Sequence, residues 1–115
     1  MVLMTLDKSF YEQAVIDIAN GENLSDYKHH PHPDIRSLVA GSEHAVIAYI
    51  VDPAPEVRMT LIKNDRWLRR IAPTEKHPKL ILALIAKGII HPNFRKLNLT
   101  VVNDALNKLE KDKGI

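Results

Sequence analysis

Apolar positions along this chain recur mainly at helical spacing. Phe10, Ala14 and Ile18, with Tyr11 and Val15, lie four apart and define one face of a first helix over residues 8–20. Ser9 and Glu12 have capping-box spacing at its start, and Asn20-Gly21 supplies a stop. Residues 21–32 are polar and rich in Pro and His, which predicts a loop with one turn near residues 24–27. Two stretches, 45–51 and 80–86, are apolar on nearly all sides and predict buried, central helices. Near the end, Val102, Leu106 and Leu109 face one way and Asn103, Lys108 and Lys111 the other, the pattern of an amphipathic end cap. Strand signals are weak: no long alternating segment occurs, and no Asn-Gly or Asp-Gly pair joins two apolar runs.

A repeat organises these helices. His30-Pro31-His32-Pro33-Asp34-Ile35-Arg36 and Asp52-Pro53-Ala54-Pro55-Glu56-Val57-Arg58 share the pattern x-Pro-x-Pro-acid-aliphatic-Arg at an offset of 22, and a third proline-led helix starts at Pro78, 23 further on. Proline at a first helical position forfeits no hydrogen bond and already has a helical φ. The acidic residue after it meets the positive helix N-terminus. Gly41, Asn64 and Gly88 recur as stops, spaced 23 and 24 apart, and Ser42 and Asp65 follow the first two as candidate N-caps of partner helices. The expected pairs are 33–40 with 42–51, 55–63 with 65–72, and 78–87 with 92–112. This spacing predicts an all-α helical-repeat stack of about three pairs plus an N-terminal helix. The 115 residues suit a single domain: 1–32 as N-terminal helix and loop, 33–90 as repeat region, 91–115 as capping helix.

At these residues the chain resembles HEAT-like repeats, in particular the leucine-rich repeat variant type. The string from Asp52 to Arg58 carries most of the likeness, which extends over about residues 30–90. The resemblance implies a right-handed stack of helices that offers a surface to a macromolecule, and it does not imply chemistry. In such stacks an Asp at a helix start and an Arg six positions later form a hydrogen-bond ladder between repeats. By resemblance Asp52 and Arg58 take those slots. The first repeat keeps Arg36 but has His30 in the Asp slot, and the third has Glu75 there and Ile81 in the Arg slot, so the ladder is expected to break at both ends. On that reading Arg58→Ala costs more than Arg36→Ala, about 1–3 kcal/mol for a buried, hydrogen-bonded group. Some leucine-rich variant proteins carry a cysteine-bound iron–sulfur cluster, a role that cannot transfer to a chain with no Cys. Most HEAT-like stacks bind proteins, and a subset, the HEAT-like DNA glycosylases, bind duplex DNA in a basic concave face.

Composition sets further limits. At 45% hydrophobic residues the chain can bury a core, and at 5% aromatic that core must be aliphatic. With no Cys, disulfides, zinc–thiolate sites and thiol nucleophiles are excluded, and a reducing, cytoplasmic setting is expected. The longest apolar runs are seven residues, too short for a bilayer span of about 20. Residues 1–6 are apolar but carry no basic segment and are followed by Asp7, so no secretory leader is expected.

The net charge of +2 conceals a partition. Residues 1–57 hold three basic against nine acidic residues, net −6; residues 58–96 hold ten against two, net +8; residues 97–115 balance. Arg66-Trp67-Leu68-Arg69-Arg70 would place Arg66, Arg69 and Arg70 on one helical face, with Trp67 about 100° from Arg66. Lys63, Arg66, Arg69, Arg70 and Lys76 form the candidate binding patch. The cations are either solvated or paired with the acidic half, with Trp67 packed inward, or they dock an acidic protein, or, through residues 58–96, contact phosphates.

His29, His30 and His32 cluster as a metal-binding tract would. However, His30, His32, His77 and His91 each precede a proline, and the repeat reads them as helix starts. No metal or cofactor is therefore expected. Ser9, Ser25, Ser37 and Ser42 lack a Gly-x-Ser-x-Gly context, and the four glycines form no phosphate loop. Asp34 and Asp52 could be proposed as an acid–base pair, but both sit where helix starts need them. Asp65 beside Trp67 resembles the acid–aromatic pairing of glycosylases in a much shorter stack. The expected function is non-enzymatic: a protein-interaction module using the basic face, with nucleic-acid binding or self-association into a homodimer as alternatives.

Overall fold

A computed structural model describes residues 7–112. The expectation of no leader at residues 1–6, and the last three residues of the expected capping segment, lie outside them. The described residues are helical, with no strand among them: α1 (Lys8–Asn20), α2 (Leu24–Lys28), α3 (Pro33–Ala40), a 3-10 helix (Ile47–Val51), α4 (Pro55–Lys63), α5 (Leu68–Ile71), α6 (Pro78–Ala86), α7 (Asn93–Lys96) and α8 (Thr100–Asp112). They divide into two compact units, with the boundary between Arg66 and Trp67.

In the first unit α3 packs extensively on α4, and α1 and α2 pack on α3. Ala14, Ile18, Ile35, Val39, Val57, Leu61 and Ile62 are buried there. Of the expected apolar face of α1, Ala14 and Ile18 are buried, whereas Phe10 and Val15 are exposed and Asp17 is buried instead; the cap also differs from the expected Ser9–Glu12 box. Asp7 is the N-cap, and its carboxylate accepts from the N–H groups of Ser9 (2.7 Å) and Phe10 (3.3 Å). An Asp two residues earlier thus satisfies unpaired donors at the positive helix end. In the second unit α6 and α7 pack on α8, and Leu80, Ile81, Leu84, Phe94, Val102 and Leu106 are buried.

The proline-led helices begin where the repeat places them, with Pro33, Pro55 and Pro78 in the first turn. Their partners differ. Residues 42–51 do not form a buried helix: after a turn, only the 3-10 segment Ile47–Val51 is helical, and Tyr49 alone of residues 45–51 is buried. Ile47 and Val51 are exposed. Ser42 caps no α-helix; its hydroxyl donates to the Val39 carbonyl and accepts from His44 N–H. The expected helix 65–72 shortens to Leu68–Ile71, and 92–112 is split by a turn into α7 and α8.

Asp65 explains the shortening. It adopts φ +56° and closes α4, its N–H donating to Ile62 O (2.9 Å) while Arg66 N–H reaches Leu61 O (3.2 Å). The same paired bonds close α1 at Gly21 (φ +72°) and α6 at Gly88 (φ +80°). Asp65 thus ends one helix instead of starting the next, a left-handed role that Asp tolerates better than most residues. Asn64, expected as the stop, has φ −82°; its side-chain amide donates to Ala40 O (3.0 Å) and Ser42 O (3.1 Å), tying the end of α4 to the end of α3. Gly41 is not left-handed either (φ −86°). A Cβ at Gly41 would stand 3.2 Å from the Thr60 methyl of α4, so glycine here permits close approach.

Candidate interaction surface

The Pro-x-Pro motif sets two arginines in equivalent places. Arg36 and Arg58 are each the fourth residue of their helix, α3 and α4. Each donates through Nη1 to the carbonyl six residues earlier: Arg36 to His30 O (2.8 Å), Arg58 to Asp52 O (2.6 Å). The Asp52 carboxylate, however, is held by Arg36 and not by Arg58. Arg36 Nε donates to Oδ2 (2.8 Å) and Nη2 to Oδ1 (3.0 Å), and the two side chains are only 14% and 6% exposed. Asp52 Oδ1 also accepts from Ala54 N–H (2.9 Å), ordering the start of α4. The Asp52 hydrogen bond raises the Arg36 pKa further above the usual guanidinium range. Arg36, and not Arg58 alone, therefore has an Asp, which removes the premise on which Arg58→Ala was expected to cost more than Arg36→Ala. Glu75, in the matching slot before α6, is buried, and its Oε2 accepts from the N–H groups of Lys76 and His77 (3.1 Å each).

The histidines before proline share one geometry. Nδ1 of His30, His32, His77 and His91 accepts the backbone N–H two residues on, at 3.0, 3.1, 3.2 and 3.1 Å. His32 and His77 are the N-caps of α3 and α6. With Nδ1 accepting, the neutral ring carries its proton on Nε2, which is the wrong form for a metal ligand there. Among the described residues no three His, Cys, Asp or Glu side chains come together so as to hold a metal ion.

Each of these bonds requires an unprotonated Nδ1. His30 lies 5.3 Å from the Phe10 ring; burial, then electrostatic interaction with His32 and with the Arg36 guanidinium, push its pKa below the usual value of 6.5. A base with a depressed folded pKa contributes stability that is present above pH 6.5 and is lost as pH falls through the lowered value. The urea midpoint should therefore drop between pH 8 and pH 5. His30→Asn, whose side-chain oxygen accepts the same N–H without titrating, should flatten part of that slope. Equal slopes for the two proteins would refute the role of His30.

A buried polar cluster escaped the sequence reading. The Asp17 carboxylate accepts from Tyr27 Oη (2.5 Å), Gln13 Nε2 (2.8 Å) and Asn23 Nδ2 (3.3 Å), joining α1 to α2. Hydrogen bonds from Tyr27 and then Gln13 hold Asp17 below the usual carboxylate range against the effect of burial, and the Tyr27 hydroxyl is pushed up to about 12. Tyr49 anchors the 3-10 segment by donating to Lys28 O (2.7 Å); burial and the Asp52 charge push it up to about 12. The i, i+4 spacing of Gln13 and Asp17 was a visible signal, but Tyr27 is ten residues further on and carries none.

The basic residues do not share a helix. Lys63 ends α4 and is exposed; Arg66 is half-buried, its Nη2 reaching Glu43 O (3.4 Å). Both belong to the first unit, whereas Arg69, Arg70 and Lys76 belong to the second. Trp67, half-buried at φ +50°, lies between Arg66 and α5, so Arg66, Arg69 and Arg70 do not lie on the one continuous helix that their expected common face assumed. Arg69 and Arg70 stand exposed in the last turn of α5, where cations complement the helix dipole. Lys76 is also exposed. Among the described residues the side chains of Lys63, Arg69, Arg70 and Lys76 make no hydrogen bond or ion pair, whereas Arg36 is bound to Asp52 and Arg95 to Glu110 (2.8 Å).

No helix among the described residues is long and apolar enough to cross a membrane. Comparison of the chain with protein-family models, curated proteins and solved structures finds no match.

Proposed function

We propose that this all-α protein is a non-enzymatic, HEAT-like protein-interaction module that docks an acidic protein surface through its basic segment. The observation that carries the reading is the exposure of Arg69, Arg70 and Lys76 in the second unit, whose side chains make no hydrogen bond or ion pair among the described residues, while the better-buried Arg36 is fully engaged. Unpaired surface cations raise association rates with acidic partners at little desolvation cost. The equivalent placement of Arg36 and Arg58 in successive proline-led helices supports the repeat reading. The absence of Cys fits a cytoplasmic setting.

The test titrates the protein with a fluorescent poly-glutamate peptide and, separately, a short DNA duplex at two salt concentrations. Peptide binding that weakens at least tenfold in the triple variant Arg69→Glu, Arg70→Glu, Lys76→Glu, with its circular dichroism unchanged, is the expected result. Undiminished peptide binding by that variant would overturn the assignment. Tighter binding to the duplex, with affinity falling steeply with salt, would favour the nucleic-acid reading suggested by the net +8 of residues 58–96.

A further inference from the structure

In the second unit α6 and α8 flank an open groove of about 440 Å³. Its lining is apolar, with Leu82, Ile85 and Ala86 from α6 and Ala105 and Leu109 from α8. Two residues break the pattern: Lys108 and Asp112, of opposite charge and one turn apart on the same helix. Neither side chain makes a hydrogen bond or ion pair among the described residues. Their order disfavours pairing with each other, because a cation N-terminal to its acid at i, i+4 is the weaker orientation on a helix.

These features select an occupant. A partner of one charge sign would match one of the two residues and repel the other. A second copy of this chain, with its α8 antiparallel to the first about a two-fold axis between the two positions, sets Lys108 against Asp112 of the second copy, and does so twice. Such a self-complementary patch is what a two-fold interface requires. The apolar lining supplies the burial, and the doubled charge pair sets the register. The geometry points to a homodimer formed through the α6–α8 groove. This surface shares no residue with the proposed basic patch, so either reading can fail alone.

Sedimentation equilibrium of the full chain from micromolar to millimolar concentration tests it. Wild type should dimerise. Lys108→Asp, which opposes carboxylates at both crossings, should raise the dimer Kd more than tenfold. The exchanged variant Lys108→Asp with Asp112→Lys should return it to near the wild-type value. Circular dichroism of each variant establishes that it is folded. A wild type that stays monomeric throughout, a dimer untouched by Lys108→Asp, or an exchange that rescues nothing would each overturn the proposal.

Discussion

Phe94→Ala should cost about 3–5 kcal/mol, the largest single effect anticipated in this protein. Phe94 is fully buried on α7, a helix of four residues. A helix that short has no stability of its own, because its nucleation is never repaid by propagation. Phe94 is buried where α7 packs on α8, with the His91 ring tilted against it at a centroid distance of 6.3 Å, and Arg95 of α7 also pairs with Glu110 of α8. Truncation removes the transfer free energy of an aromatic side chain and leaves a cavity that a well-packed neighbourhood closes only in part. Aromatic residues make up only 5% of the chain, so few other rings are available to fill it. Phe94→Leu should restore more than half of the loss. Thermal and urea unfolding followed by circular dichroism measure both, and a loss below about 1 kcal/mol for Phe94→Ala would contradict the burial described.

Arg36→Ala should destabilise the first unit by about 3 kcal/mol, the lower end of the cost of breaking a buried ion pair. The guanidinium satisfies two carboxylate oxygens and two carbonyls, those of His30 and Pro31. Its removal leaves the Asp52 carboxylate, 6% exposed, without its cation. Arg36→Lys should rescue poorly, since an ammonium cannot reproduce the planar fork. In a double-mutant cycle with Asp52→Asn, whose side-chain oxygen can still accept from Ala54 N–H, the two losses should be far from additive. A coupling below about 0.5 kcal/mol would show that the pair contributes nothing beyond its separate parts.

The outcome for Arg36 shows where local reading stops. The Pro-x-Pro-acid-aliphatic-Arg strings identify two matched helix starts, and the matched bonds of Arg36 and Arg58 to carbonyls six residues back follow from that local pattern. Which arginine takes the Asp52 carboxylate depends on a contact across 16 residues. The candidate patch behaves likewise. Its residues were visible as a charge segment, but their common face assumed a continuous helix that Asp65 and Trp67, both at positive φ, interrupt.

The all-α class, the starts of α3, α4 and α6, and the helix-start role of His32 and His77, though not of His30 and His91, were legible in short strings of the chain. These depend on φ restrictions and on hydrogen bonds closed within a few residues, so a short string contains the whole cause. Contacts made only in the folded chain set the 3-10 turn of Ile47–Val51 anchored by Tyr49, the tie of Asn64 from α4 to α3, the hold of Arg36 on Asp52, and the groove framed by α6 and α8. Those outcomes join residues far apart in the chain, and the free energy of each depends on burial that no local segment possesses.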